Sequence, residues 1–346
     1  MAAIEGAPAV SDITAPVGQA SSRAEQIAFV LMVVALAIAP FFIYPMFLMQ
    51  ALCFALFACA FNLLIGYVGL LSFGHALYFG WASYVAAHLA KVGTISLPLW
   101  FGQAVWITIP LPPLPPLLAI IGGTAFAALV GLVAGLLAIR RQGIYFAMIT
   151  LALAQMMYFF AVQAPFTGGE DGIQAVPRGT LFGLVDLNNQ TNMYIVVVAI
   201  FLAGFLFIHR IINSPFGEVL KAIRENEPRA ISLGYKTDRY KLVAFVLSAA
   251  LAGLAGSTKA IVLQIASLTD VDWPMSGEVV LMALVGGLGT VFGPVAGAFV
   301  IIAMQTYLAA VGQWVTVIQG VIFVLCVLLF RRGIIGEIAH LLRIKL

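Results

Sequence analysis

Gly287, Gly289 and Gly293 fall one position short of the spacing by which a glycine turn brings backbone N–H groups onto a dinucleotide pyrophosphate. The third glycine of that fingerprint belongs at position 292, which is Phe. No lysine in the chain follows a glycine, so the phosphate loop G-x-x-x-x-G-K-[ST] is absent too. The four histidines are scattered, the carboxylates are peripheral, and no cluster of His, Asp, Glu or Cys forms that could run hydrolytic or metal chemistry. Cys53, Cys59 and Cys326 sit in apolar runs, are odd in number and fit no zinc spacing, so packing is their expected role. His75 lies in a glycine-rich stretch, where a structural donor is the simpler reading and a proton relay the sharper one. No catalytic residue and no metal site are expected.

The elements that must position these residues follow from composition. The 346 residues are 63% hydrophobic and 9% charged, against about a quarter charged in soluble domains. Apolar runs of membrane-spanning length recur, and the ten-residue alternation of an outer-membrane barrel is absent. The fold class is therefore an all-α polytopic membrane protein with about 9–10 membrane segments. Spans are predicted near 27–44, 46–65, 71–90, 117–139, 143–163, 193–212, 241–263, 279–292, 293–311 and 313–330. One of the short pieces 279–292 and 293–311 is expected to be re-entrant or half of a broken helix, and 66–90 need not be a simple span.

Residues 1–26 are small and polar and read as a disordered cytoplasmic tail with no cleaved leader. Residues 27–335 form the membrane domain, with a charged loop at 213–241, and 336–346 a second tail. Arg140 and Arg141, the loop's Lys221, Arg224, Arg229, Lys236, Arg239 and Lys241, and Arg331, Arg332, Arg343 and Lys345 are expected on the cytoplasmic side, because Lys and Arg accumulate there. The C-terminus is then cytoplasmic. The opposite loops carry Glu170, Asp171, Asp186, Asp270 and Asp272 against Arg178. The uncharged, proline-rich segment 93–116 reads as an extended external connection on the membrane surface.

Two apolar stretches are broken by glycine, GYVGLLSFGHALYFG (66–80) and GGLGTVFGPVAG (286–297), one in each half of the chain. Breaks in corresponding halves point to a transport pathway, which would place Gly66, Gly69, Ser72, Gly74, His75, Glu278, Gly286, Gly287, Gly289 and Gly293 along it. The competing reading is close helix packing, which best explains Gly131 and Gly135 and also suits Gly293 and Gly297. Lys259 either snorkels outward, the simpler account, or pairs with Asp270, Asp272 or Glu278. Glu278 suits a helix N-terminus.

The loop SPFGEVLKAIRENEPRAISLGYKTDRYK (214–241) reads as two short helices. Pro215 suits a start, Val219, Leu220 and Ile223 share one face, and Lys221–Glu225 and Glu225–Arg229 stand at i,i+4 spacing. Pro228 stops the first helix by Glu227 and opens a second, which Gly234 closes. A compact cytoplasmic knob results, unless the charges serve topology alone.

The stretches NLLIGYVGLLSFGHALYFG, RRQGIYFAMITLALAQMM, TGGEDGI, FGEVLKAIRENEPRAISLGYKTDRYKLVAFVLSAALAGLAG and SGEVVLMALVGGLGTVFGPVAGA run in order through about residues 50–335. Together they resemble the permease subunits of ABC importers for branched-chain amino acids. The resemblance implies a multi-pass subunit of the bacterial inner membrane, in contact with lipid and not with nucleic acid. Its partners would be a second, homologous permease, two cytoplasmic ATPase subunits that bind ATP and Mg, and a periplasmic substrate-binding protein. It makes Gly217, Glu218, Lys221, Arg224, Glu225, Asn226, Glu227, Arg229 and Gly234 the ATPase-coupling loop, with Glu225 and Gly234 anchoring. The usual Glu-Ala-Ala core is here Glu-Asn-Glu-Pro-Arg-Ala. Thr167, Gly168, Gly169 and Asp171 would face the binding protein, or form a plain glycine turn. Similar permeases serve urea and short amides, and Glu170 and Lys259, commonly uncharged in relatives, bear on ligand or binding protein. An autonomous carrier or channel would need ionisable residues at the membrane midplane, and apart from His75 the spans hold almost none.

Overall fold

The computed structural model describes residues 17–91, 94–98, 106–110, 114–141, 143–181, 183, 185–309, 312, 314–329 and 333–341. Within them lie thirteen α-helices: α1 (Val17–Ile38), α2 (Pro45–Tyr67), α3 (His75–Lys91), α4 (Pro116–Ala138), α5 (Ile144–Gln163), α6 (Gln190–Ile212), α7 (Pro215–Glu225), α8 (Glu227–Ser232), α9 (Thr237–Leu263), α10 (Trp273–Gly286), α11 (Gly293–Tyr307), α12 (Trp314–Leu329) and α13 (Gly333–Leu341). Among the described residues α2, α4, α5, α6 and α9 are long and apolar enough to cross a membrane, with shorter apolar helices beside them. The protein is an α-helical, polytopic membrane protein.

α2 is apolar all round and buried along nearly its whole length, as a helix with no polar face must be. α9 is its counterpart, rich in Ala and Gly and largely buried. α4 meets α9 through a ridge of small residues at every fourth position. Added Cβ atoms on Gly131 and Gly135 would strike Ala249 and Leu242, and one on Gly253 would strike Ala127. The contacts descend α4 as they climb α9, so the pair is antiparallel with backbones in close approach. The packing role expected of Gly131 and Gly135 is what they have.

The end of the bundle that carries Arg140, Arg141 and the α7–α8 loop is called here the basic end, and the opposite one the acidic end. The 68–74 stretch between α2 and α3 is not helical. His75, the first residue of α3, meets Ser248, which lies about 10 Å along α9 from Lys241. Val68–Gly74 therefore descends from the basic end into the bundle as irregular chain with turns at Val68 and Phe73–Gly74. Such backbone is tolerated at depth because its inner part is partnered: Phe73 N donates to Thr150 Oγ1 at 3.2 Å and the buried Gly74 N to Ser72 Oγ at 3.3 Å. α3 thus starts at His75 rather than at residue 71.

α10 and α11 are about 21 and 22 Å long, short for single crossings. They pack as an antiparallel hairpin. A Cβ on Gly286 would run into the Gly293 carbonyl, and one on Gly297 into the Met282 carbonyl. The hairpin turn sits at the basic end, against α2 and α7. Two positive loops on one side need an even number of crossings between them, and α9, α10, α11 and α12 supply four. An even count is met equally by α9 and α12 with α10–α11 as a re-entrant hairpin, and the two short helices joined by a glycine turn are the Gly-broken pieces the sequence implies.

Other boundaries shift for local reasons. α1 begins at Val17, so only residues 1–16 of the expected tail lie outside the described residues; no proline interrupts the run after Pro16. α10 begins at Trp273, capped by Asp272, whose carboxylate accepts from Trp273 N at 2.8 Å, with Pro274 in its first turn. Glu278 is consequently in the second turn, not at the N-terminus. The 93–116 connection contains a hairpin, β1 (Thr94–Pro98) against β2 (Trp106–Pro110), antiparallel. Two further two-stranded sheets close loops at the acidic end: β3 (Ile173–Gln174) with β6 (Ile265–Ala266), and β4 (Thr180–Leu181) with β5 (Val185–Asp186). The expected second tail begins as helix, since α13 runs to Leu341 and packs on the α10–α11 hairpin. Arg331, Arg332, Arg343, Lys345 and the Cys326 side chain lie outside the described residues. Cys53 and Cys59 are buried thiols.

Candidate functional site

The loop forms the two helices its sequence implies. Ser214 caps α7, its hydroxyl accepting from Gly217 N at 3.3 Å, and Asn226 caps α8, its side chain accepting from Arg229 N at 3.0 Å. Gly217 lies so close to the end of α6 that a Cβ would strike the Ile212 carbonyl, and Gly234, at φ +89°, ends α8 in the left-handed region that glycine favours. Lys241 is 3% exposed and its Nζ is 2.5 Å from Glu227 Oε1, which pins the start of α8 to the start of α9. Lys221 pairs with Glu218 at 2.8 Å and not with Glu225. The helix break at Asn226 also separates Glu225 from Arg229, so neither i,i+4 spacing becomes a pair. Glu225 is exposed on the surface of the knob.

Arg224, in the last turn of α7 and partly exposed, reaches back to the end of the bundle. Its Nη1 donates to the carbonyl of Gly66, in the last turn of α2. Carbonyls there have no partner within the helix, and a helix C-terminus favours a cation. Gly69 and Gly289 leave room for the guanidinium: added Cβ atoms would lie 3.3 Å from Arg224 Cγ and 3.2 Å from Nη1. Both glycines have positive φ, +81° and +79°. One turn earlier on α2, Asn62 accepts from Gly289 N at 3.0 Å and donates to the Thr290 carbonyl at 2.9 Å. A Cβ on Gly66 would lie 2.9 Å from Gly289 N. The two glycine breaks, distant in sequence, thus meet at one junction under the charged loop.

Farther in, His75 is fully buried among Phe61, Tyr78 and Phe245. Ser248 Oγ donates to the Ala60 carbonyl at 2.5 Å, so it accepts from His75 Nε2 at 2.9 Å. That assigns the proton to Nε2, leaves Nδ1 without a partner, and ties α3, α9 and α2 together. The structural-donor reading of His75 matches this geometry. Gly74 abuts the Thr150 carbonyl, where a Cβ would stand 2.7 Å away.

At the acidic end, Lys259 does not snorkel. Its Nζ lies 2.5 Å from both carboxylate oxygens of Asp270, and the residues are 6% and 1% exposed. Glu278 accepts instead from Gln305 Nε2 at 3.0 Å, linking α10 to α11. Thr167 is fully buried, its hydroxyl within 2.6 Å of the Ala161 and Ala164 carbonyls. It shapes the turn from inside, while Gly168, Gly169, Glu170 and Asp171 follow at the surface or near it, with both glycines at positive φ.

Of the pathway residues expected from sequence, Gly66, Gly69 and Gly289 converge on Arg224. Gly286, Gly287 and Gly293 form the adjoining turn, where Gly333 packs on Gly287. Ser72, Gly74 and His75 line the buried descent into α3, and Glu278 stands about two turns of α10 away from the turn. Asn62 escaped notice, although a lone amide in an apolar run is a signal that could have found it. Among the described residues no group of three or more His, Cys, Asp or Glu could hold a metal ion.

The sequence that builds this charged helical knob and the two glycine breaks is similar to known proteins. The family described as branched-chain amino acid transport system, permease component, matches residues 43–328. The high-affinity branched-chain amino acid transport system permease protein LivM of Salmonella typhimurium is 24% identical over 308 residues, 82% of this chain and 68% of that protein. Its counterpart in Escherichia coli is 24% identical over 307 residues, with the same coverage. The probable branched-chain amino acid transport permease protein LivM of Methanocaldococcus jannaschii is 26% identical over 270 residues, 71% of this chain and 76% of that protein. No solved structure matches. With the family spanning nearly all of the described bundle, the chain belongs to the permease components of branched-chain amino acid transport systems.

Proposed function

We propose that this chain is one permease subunit of an ATP-driven importer that carries branched-chain amino acids inward from an external binding protein. The observation that carries the reading is the knob formed by α7 and α8. It projects from the basic end, is held rigid by two caps and the Lys241–Glu227 pair, and touches both glycine breaks through Arg224. A device of this form suits the passing of force from a partner to a pathway. The basic end, and with it the C-terminus, faces the cytoplasm of a bacterial inner membrane. Two ATPase subunits dock there and bind ATP and Mg, a homologous permease completes the pathway, and the Thr167–Gly172 turn at the acidic end lies toward the binding protein. The chain performs no chemistry of its own.

Affinity purification of the chain from membranes, with and without Glu225→Lys plus Gly234→Pro, tests this. Glu225 is exposed on the knob, whereas proline at Gly234, whose φ is +89° and whose N–H donates to the Ile231 carbonyl, unseats the end of α8, so the double variant is compared only once its bundle is shown to be folded. Co-purification of an ATP-binding subunit with wild type, and its loss from the folded double variant, supports the proposal. A wild-type chain that purifies alone and moves solute without ATP would refute it.

A further inference from the structure

We infer that Arg224 is the positioning residue that couples the loop to the pathway, with Asn62 as the second half of the same latch; this rests on the importer reading above. The argument is one of connectivity. α7 packs on the ends of α6, α2 and α9, yet Arg224 is the α7 side chain that bonds to a glycine break. Its guanidinium satisfies the Gly66 carbonyl, an acceptor left over at the end of α2, and lies against Gly69 and Gly289. Asn62 closes the remaining gap by holding both Gly289 N and the Thr290 carbonyl on the α10–α11 turn.

The backbone on either side of this junction is rich in glycine, which adopts left- and right-handed conformations about equally readily. Gly69, Gly287 and Gly289 have positive φ, and Val68–Gly74 is an irregular, non-helical stretch with turns at both ends. A tilt of α7 that withdraws Arg224 releases the end of α2 from the hairpin turn and frees the descent toward His75. A tilt that returns it closes the same opening. Neither Arg224 nor Asn62 needs to touch solute for this, and the two act as a clasp at the basic end.

The test uses the complete transporter, purified with its partners, supplied with its binding protein and reconstituted in liposomes. ATP hydrolysis and uptake of labelled leucine are both measured for wild type, Arg224→Met, Arg224→Lys and Asn62→Ala. Loss of a charge-assisted hydrogen bond is expected to lower uptake per ATP about ten-fold in Arg224→Met while hydrolysis stays within about two-fold. Arg224→Lys recovers most of the ratio, because a cation remains near the Gly66 carbonyl. Asn62→Ala shows the same uncoupling without altering the knob, and decides the matter if Arg224→Met does not fold. Uptake and hydrolysis falling in parallel, with their ratio unchanged, would overturn the inference and leave Arg224 a structural residue. Loss of the ATPase from Arg224→Met would also overturn it, making Arg224 a docking residue, but would leave the importer reading standing. A wild-type chain with no ATPase would instead defeat that reading.

Discussion

Removing one member of the Lys259–Asp270 pair should be among the most damaging single changes in the bundle. The ammonium sits 2.5 Å from both carboxylate oxygens, 6.0 Å from the centre of the Phe79 ring, in a site where neither residue is more than 6% exposed. Gly80 allows the approach, since a Cβ there would stand 2.7 Å from the Asp270 backbone carbon. Breaking a buried pair leaves one uncompensated charge, at a cost of about 3–5 kcal/mol. Replacing both partners by apolar residues of similar volume leaves none, and such exchanges are neutral or stabilising by about 1–4 kcal/mol. Asp270→Leu and Lys259→Met are therefore each expected to lose about 3–5 kcal/mol, and the double variant to be at least as stable as wild type, by up to about 4 kcal/mol. The assay is reversible unfolding of the detergent-solubilised protein in a double-mutant cycle. A loss below about 1 kcal/mol for Lys259→Met alone would mean that its ammonium reaches water, as exposed pairs do, and would refute the reasoning.

Three other outcomes follow from contacts in the bundle. Gly297→Val forces a side chain into the Met282 carbonyl and should cost at least about 1–3 kcal/mol, whereas Gly277→Ala, with nothing within 4 Å of its Cβ, should be neutral or slightly stabilising; unfolding in detergent compares them. Asn226→Ala removes the cap of α8 and should cost about 1 kcal/mol locally, read as faster hydrogen exchange of the 227–232 amides with the bundle unchanged. His75→Gln keeps a donor toward Ser248, so uptake should keep the same pH profile between about pH 5.5 and 8; a changed profile would reinstate a proton relay.

How much of this was legible depends on the range of the interaction. α2, α4, α5, α6 and α9 follow from local hydrophobicity and fall within a few residues of the predicted spans. The helix break at Asn226 and the end of α8 at Gly234 follow from Pro228 and from the left-handed conformation at Gly234, both local. Gly131 and Gly135 announce their role because small residues at fourth positions can only bring helices together. α10 began later in the sequence reading because Trp-Pro-Met-Ser-Gly-Glu is not an apolar run, although Asp272 and Pro274 are a start signal. The Lys259–Asp270 pair was one option among several, because which carboxylate folds over the end of α9 is decided by the turn at Gln264, a non-glycine residue at φ +57°. The junction itself could not be read locally. Arg224 is 158 residues from Gly66, and Asn62 is 227 from Gly289. Only docking of α7 and the hairpin turn against the end of α2 brings them together.

The central claim is that movement of solute through this bundle is driven by ATP used on partner subunits. The most direct test is uptake of labelled isoleucine by liposomes holding the assembled transporter, with binding protein outside and ATP inside. The account predicts uptake that requires ATP, stops when the ATPase subunits are omitted, and is competed by leucine and valine but not by urea. Equal uptake without ATP, or by liposomes holding this chain alone, would contradict it.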